Sequence, residues 1–173
     1  MGRTLLLTGR PGVGKTTLIK SVAKILKERA GGFYTEEIRG PGGRKGFRLV
    51  TLDGQDAVMA HRDFHGTRHP RVGRYKVDVE VIERVGVAAL HRAMRDDRIV
   101  VIDEIGKMEL YCGPFKGAVL QAVGGPHVVI ATAMAGPNPW VDSLKAMPQV
   151  DTWHVTVESR DEMADQTIKW LER

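Results

Sequence analysis

Gly9-Arg10-Pro11-Gly12-Val13-Gly14-Lys15-Thr16 spells G-x-x-x-x-G-K-[ST], and a pair of carboxylates, Asp103-Glu104, closes the apolar run Ile99 to Ile102. The first pattern is a phosphate cradle. Its glycines let the chain curl until successive backbone N–H groups point at one anion, and its last two residues address charge and metal. On this chemistry Lys15 neutralises the β- and γ-phosphates of a nucleoside triphosphate. Thr16 offers a hydroxyl to Mg2+, a hard cation that takes oxygen ligands and keeps part of its water shell. The acidic pair supplies the complementary half. Asp103 can hold Mg2+ through that shell, while Glu104 can take a proton from a water aimed at the γ-phosphorus. The expected assignment is catalysis by Glu104 and Lys15, metal at Thr16 and Asp103, and nucleotide along Gly9 to Thr17.

Such a cradle works only between a buried strand and a helix. Leu5 to Leu7 supply the strand, and Leu18, Val22, Ile25 and Leu26 recur at helical spacing, with Lys20, Lys24, Lys27 and Glu28 on the other face. Gly31-Gly32 predicts the stop of that helix. Phe33 to Arg39, Gly46 to Leu52 and Gln55 to His61 lean to β-structure, and Pro41-Gly42-Gly43 and Asp53-Gly54 between them predict antiparallel hairpins. Arg62 to Arg74, basic and poor in apolar residues, reads as a mobile loop. Asp78 is placed to cap a helix running to Asp96-Asp97.

Beyond the Asp103 strand, a helix from about Pro114 to Val123, a strand from His127 to Ala131 and a helix opened by Asn138-Pro139 are expected. The strand Thr152 to Val157 precedes a last helix, whose Ser159-Arg160-Asp161-Glu162 has the form of a capping box. Apolar strands alternating with helices predict an α/β fold: a mostly parallel sheet between two helical layers, with an antiparallel β-hairpin insertion. One domain over 1–173 is expected at this length. In such a sheet ligands gather at the carboxyl ends of the strands, where both motifs lie.

Five blocks together resemble the cancer-related nucleoside-triphosphatase family, the small stand-alone P-loop proteins of thermophile type. They are Gly9 to Leu18, Gly32 to Arg39, Gly46 to Val50, Gly73 to Val79, and Ile102-Asp103-Glu104-Ile105-Gly106-Lys107-Met108-Glu109-Leu110. The resemblance implies a three-layer, RecA-like P-loop core and Mg2+-dependent hydrolysis of several nucleoside triphosphates, ATP and GTP among them, with weak base selectivity. It also implies that Ile102 to Glu109 joins Gly9 to Thr17 in lining the nucleotide site. It weakens after Ala131: the family tends to carry a basic pair there, and Thr132-Ala133-Met134-Ala135-Gly136 has none. Arg39, Arg71 and Arg74 are then the candidates for a cation at the γ-phosphate. Thr132, ending the strand expected beside Asp103, could sense that phosphate, position water or satisfy backbone groups. Lys107 and Glu109 could pair with each other or touch nucleotide.

The remaining features narrow the class. No stretch approaches the roughly 18 consecutive apolar residues of a membrane span, and Thr4 to Thr8 is too short for a secretory core. The single cysteine, Cys112, cannot close an internal disulfide. The expectation is a cytoplasmic protein.

Of the net charge of +5, Arg39 to Lys76 carries nine basic residues against three acids, +6, leaving −1 elsewhere. Such a segment could attract a polyphosphate or a nucleic acid. No nucleic-acid-binding motif accompanies it. His61, His65 and His69 have ligand spacing only on a helix, which Gly66 and Pro70 oppose. Trp140, Trp153 and Trp170 fall in regular elements and are expected to pack. A kinase passing the γ-phosphate to a small acceptor would share the cradle and magnesium, with Arg62 to Arg74 as its lid. Glu104 directly after Asp103 favours water as acceptor.

Overall fold

Leu5, Leu6 and Leu7 are all buried, yet they face opposite ways: Leu5 and Leu7 join one apolar cluster and Leu6 the other. The period of two along a strand places alternate side chains on opposite faces, so a continuous apolar run is what a sheet covered on both sides requires. Val100, Val101 and Ile102 divide in the same way, as do Val129, Ile130 and Ala131.

The computed structural model describes residues 2–173. Its strands are β1 (Arg3–Gly9), β2 (Ala30–Gly40), β3 (Gly43–Thr51), β4 (Asp56–His61), β5 (Arg71–Val72), β6 (Tyr75–Val77), β7 (Ile99–Ile105), β8 (Val128–Met134) and β9 (Val150–His154). They form one sheet in the order β5-β6-β4-β3-β2-β7-β8-β1-β9. Pairing is parallel from β2 through β7, β8 and β1 to β9, and antiparallel from β2 outward through β3, β4, β6 and β5.

The helices are α1 (Lys15–Leu26), α2 (Val79–Val81), α3 (Ala88–Arg95), α4 (Gly113–Gly124), α5 (Pro139–Lys145) and α6 (Arg160–Leu171), with a π-helical stretch Ile82–Val87 joining α2 to α3. Residues of α1 and α6 pack with Leu5 and Leu7 on one face. Residues of α3, α4 and α5 pack with Leu6 on the other. This is the three-layer α/β arrangement with an antiparallel insertion that the sequence predicts. Trp140 and Trp153 pack at the edges of these clusters, and Trp170 is buried in the second.

Four local expectations change. Helix α1 ends at Leu26, followed by a 3-10 turn Lys27–Arg29, so Gly31-Gly32 lies inside β2 and does not stop the helix. Gly32 has φ +114°, and a Cβ there would stand 2.0 Å from the Val101 carbonyl oxygen. The glycine serves the close approach of β2 to β7, a need as demanding as a helix stop and identical in sequence. Ile25 is exposed, and Ile19 takes the expected place in the core.

The capping box sits three residues early. Ser159 makes no side-chain cap; instead the Ser159 N–H donates to Thr156 Oγ1 while the Thr156 N–H donates to Ser159 Oγ, the same reciprocal exchange with Thr156 in the capping role. Arg62 to Arg74 is irregular only in part. Val77 is buried, its N–H donates to the Pro70 carbonyl, and Tyr75 stands edge-on to Phe47, which folds β5 and β6 back onto β4.

Candidate active site

The loop between β1 and α1 carries Gly12 at φ +79° and Gly14 at φ +110°, left-handed positions that only glycine holds without strain. This is the curl an anion cradle needs, and within it the Val13 N–H donates to the Arg10 carbonyl at 3.3 Å. Lys15 is buried at the start of α1, its Nζ donating to the Gly9 carbonyl at 2.6 Å and the Arg10 carbonyl at 3.3 Å. Its aliphatic stem is held by the fold while the ammonium stays at the mouth of the loop. Thr17 is exposed on the first turn of α1.

Asp103 lies at the carboxyl end of β7 and is 1% exposed. A carboxylate there demands compensation, and four donors provide it. Thr16 Oγ1 donates to Oδ2 at 2.8 Å, the Thr35 N–H to Oδ2 at 3.2 Å, Thr35 Oγ1 to Oδ2 at 3.3 Å, and Thr132 Oγ1 to Oδ1 at 2.6 Å. Three strands and a helix thus converge on one side chain. The order of the sheet explains how: β8 lies between β1 and β7, with Leu7 opposite Thr132 and Ala131 opposite Ile102, so the Thr132 hydroxyl comes up beside Asp103. Thr132 orients the acid.

The register of β7 against β8 slips between Ile102 and Ile105, where three residues on β7 span the distance of two on β8. Such a bulge re-aims side chains. Glu104 has no register partner on β8 here and lines a cleft of about 580 Å3, together with Gly9, Pro11, Lys15 and Thr35. Burial, then the neighbouring Asp103 charge, pushes the Glu104 carboxyl above its ordinary range, against a lowering by Lys15. Glu109 lines the same cleft from the 3-10 turn Glu109–Tyr111, fully enclosed, and burial and the Glu104 charge push it up to about 8. Gly106 makes room for both: a Cβ on it would stand 3.1 Å from Glu104 Oε1 and 3.1 Å from Glu109 Oε2.

Gly9, Pro11, Lys15, Glu104, Gly106, Lys107, Met108 and Glu109, expected at the site, share this cleft. Ile102 and Ile105 do not: both are fully buried in the core, so their side chains cannot reach a nucleotide. Val13 is likewise turned into the opposite cluster and serves the loop from below. Arg10 is exposed, offering its carbonyl to Lys15.

Of the arginines considered for the γ-phosphate, Arg39 pairs with Glu37, and Arg71 and Arg74 are exposed on the β5–β6 hairpin, none lining the cleft. The cation at the cleft besides Lys15 is Lys107. Lys107 and Glu109 form no ion pair among the described residues.

Sequence reasoning missed Thr35 and the apolar wall of the cleft, Phe47, Met59, Val72, Met134 and Pro137. Thr35 follows from the parallel register, which sets Phe33 opposite Ile102 and so brings β2 past the end of β7. That register is fixed by a crossover and has no local signal. Phe47, Met59 and Val72 come from β3, β4 and β5 folding over the loop, a tertiary event, and Met134 and Pro137 from the end of β8 and the turn after it. His61, at the end of β4, and His69 lie tilted against the Phe64 ring, and no group of three or more His, Cys, Asp or Glu suited to a metal occurs among the described residues. The donor set at Asp103 is of another kind, one carboxylate and one threonine hydroxyl beside a phosphate cradle. That set fits Mg2+, which binds through one or two carboxylates, substrate phosphates and water.

A family profile described as NTPase matches residues 4–168. Nucleoside-triphosphatase THEP1 of Thermotoga petrophila is 41% identical over 164 residues, covering 95% of this chain and 90% of that protein. The crystal structure of THEP1 from the hyperthermophile Aquifex aeolicus superposes with a TM-score of 0.90 at 35% identity, over 98% of this chain and 99% of that one. The solution structure of a human cancer-related nucleoside triphosphatase gives 0.82 at 36%, over 98% and 97%. Likeness of this extent, in sequence and in fold, makes the chain a member of the NTPase family.

Proposed function

We propose that this protein hydrolyses nucleoside 5'-triphosphates to the diphosphate and phosphate, in a Mg2+-dependent reaction with weak selectivity for the base, and that residues 1–173 act as one domain. The observation that carries the reading is Asp103: a buried carboxylate held by Thr16, Thr35 and Thr132 at the mouth of the phosphate loop, with Glu104 beside it facing the cleft. Relatives named nucleoside-triphosphatases support hydrolysis as the outcome.

Thr16 and Asp103 would hold the metal, which when bound neutralises charge on the β- and γ-phosphate oxygens. The N–H groups of Gly12 to Thr16 grip the phosphate chain, and Lys15, already poised by the Gly9 carbonyl, stabilises charge that grows toward the β–γ bridge. Glu104 takes the proton of the attacking water; the new bond runs from water oxygen to the γ-phosphorus, and the bridging oxygen leaves with the nucleoside diphosphate. Burial that raises the Glu104 carboxyl also makes it a stronger base once ionised.

Among the described residues no helix is long and apolar enough to cross a membrane, and Cys112 is buried, in keeping with a cytoplasmic setting. Arg39 and Arg44 are paired with Glu37 and Arg48 with Asp56, which takes part of the basic segment out of play for a nucleic acid. The test is phosphate release from ATP, GTP, CTP and UTP with Mg2+ and with chelator, in the presence of nucleosides and nucleoside monophosphates. Release from all four with kcat/KM values within about 100-fold is expected. Chelator should stop it and no acceptor should gain phosphate. Stoichiometric transfer to an acceptor would replace hydrolysis by a kinase reaction.

A further inference from the structure

The phosphate loop has two ends, and the 580 Å3 cleft lies at only one of them. Its lysine reaches the β- and γ-phosphates while its N–H groups cradle the α and β. The γ end is therefore where Lys15 meets Glu104, and the nucleoside must leave at the other end, past Gly14 and Thr17. A separate cleft of about 350 Å3 opens there, lined by Gly14, Thr17, Ser21, Arg160, Asp161 and Ala164.

One side chain joins that cleft to the loop. Arg160 lays its stem on Gly14, where a Cβ would meet Arg160 Cδ at 3.1 Å, and its Nη1 donates to the Val13 carbonyl at 3.3 Å. The guanidinium is thereby fixed beside the loop although its side chain is 43% exposed. Its acidic neighbour, Asp161, is 3.8 Å away and 90% exposed, too loosely held to neutralise it. The groove on the other flank of α1 is lined by Lys20, Lys24, Lys27 and Tyr34 and by no arginine, and Lys20 covers the face of Tyr34 while pairing with Glu36.

We infer that Arg160 forms the nucleoside subsite, its guanidinium plane packing on the base of the bound triphosphate; the inference rests on the triphosphatase reading. A planar cation stacks on any aromatic ring without reading its edge. The cleft offers hydroxyls from Thr17 and Ser21 and a carboxylate from Asp161, side chains that can turn. Weak base selectivity follows from the same geometry. Arg160 is a contact for the ground state and lies away from the γ-phosphorus, so it bears on KM and leaves kcat alone.

The experiment compares wild type, Arg160→Ala and Arg160→Lys with four triphosphates and with inorganic tripolyphosphate, which has the phosphates and no nucleoside, as competitive inhibitor. Arg160→Ala should raise KM about tenfold for ATP, GTP, CTP and UTP alike with kcat within about threefold, and leave the inhibition constant of tripolyphosphate within about twofold. Arg160→Lys keeps charge and loses the plane, so its KM should follow Arg160→Ala. Unchanged KM overturns the inference. So does equal weakening of tripolyphosphate, which would put Arg160 on the phosphates, or full recovery by lysine, which would make charge alone sufficient. If wild type releases no phosphate, the hydrolase reading fails separately, and the same three proteins are compared by calorimetric Kd for ATP and tripolyphosphate.

Discussion

In the parallel half of the sheet, the polar side chains at the cleft and next to it are bonded to one another, Asp103 to Thr16, Thr35 and Thr132 and Lys15 to the loop, with Met134 of β8 as an apolar neighbour. In the antiparallel half, what reaches the same cleft is Phe47, Met59 and Val72, while Arg44 and Arg48 turn out to Glu37 and Asp56. The difference follows from construction. Parallel strands end together at one edge, so side chains from several crossovers can converge and satisfy each other's polar groups. Hairpins return at once to where they began and lend a wall. Chemistry should depend sharply on the first half, and substrate retention mildly on the second.

The largest effect should fall on the seam between the halves. Gly32→Ala forces a Cβ to 2.0 Å from the Val101 carbonyl in a left-handed conformation, and no side-chain motion relieves a backbone clash. A loss above about 4 kcal/mol, or no folding, is expected by denaturant titration. Gly42, at the tip of the β2–β3 hairpin with φ +80° and nothing nearby, should cost about 1–2 kcal/mol when made alanine.

Next is Glu109. Its carboxyl is pushed up to about 8 in the folded protein, above the value of an unfolded chain near 4.5. A raised folded pKa means that the native state prefers the proton. This preference is fully expressed below about pH 4.5, and stability falls as pH rises from there through about 8, then levels. Metal-free Glu109→Gln, which cannot ionise, should match wild type near pH 5 and exceed it near pH 9 by on the order of 2–4 kcal/mol, several degrees in Tm. Equal Tm values across that range would show that Glu109 is not buried as described. The smallest effect is assigned to the wall: Phe47→Ala should raise KM by less than about fivefold and leave kcat unchanged, since it removes contact area from bound and transition states alike.

What could be read without the structure was local or nearly so. Gly9 to Thr16 and Asp103 are legible because spacing and flanking elements carry their meaning, and Thr132 because consecutive β-strands tend to be neighbours. Thr35, Arg160 and the apolar wall depend on which strands pair and in what register, which composition does not encode. Gly31-Gly32 misleads because a helix stop and a close backbone approach ask for the same residue. Ile102 and Ile105 stand in the same contiguous block as the site residues, yet the bulge between them turns both into one core cluster.

The central claim is that Asp103 and Glu104, adjacent and equal in charge, divide metal and water between them. Asp103→Asn should raise the Mg2+ requirement and weaken nucleotide binding, with partial rescue by excess metal. Replacement of Glu104 by Gln is the more direct test, because it keeps size and hydrogen bonding and removes only the base. The measurement is single-turnover hydrolysis by Glu104→Gln alongside its Kd for Mg2+-nucleotide. Binding within about threefold of wild type with a chemical step slower by about 10²- to 10⁴-fold is predicted. Hydrolysis within about threefold of wild type would contradict the assignment of Glu104 as the base.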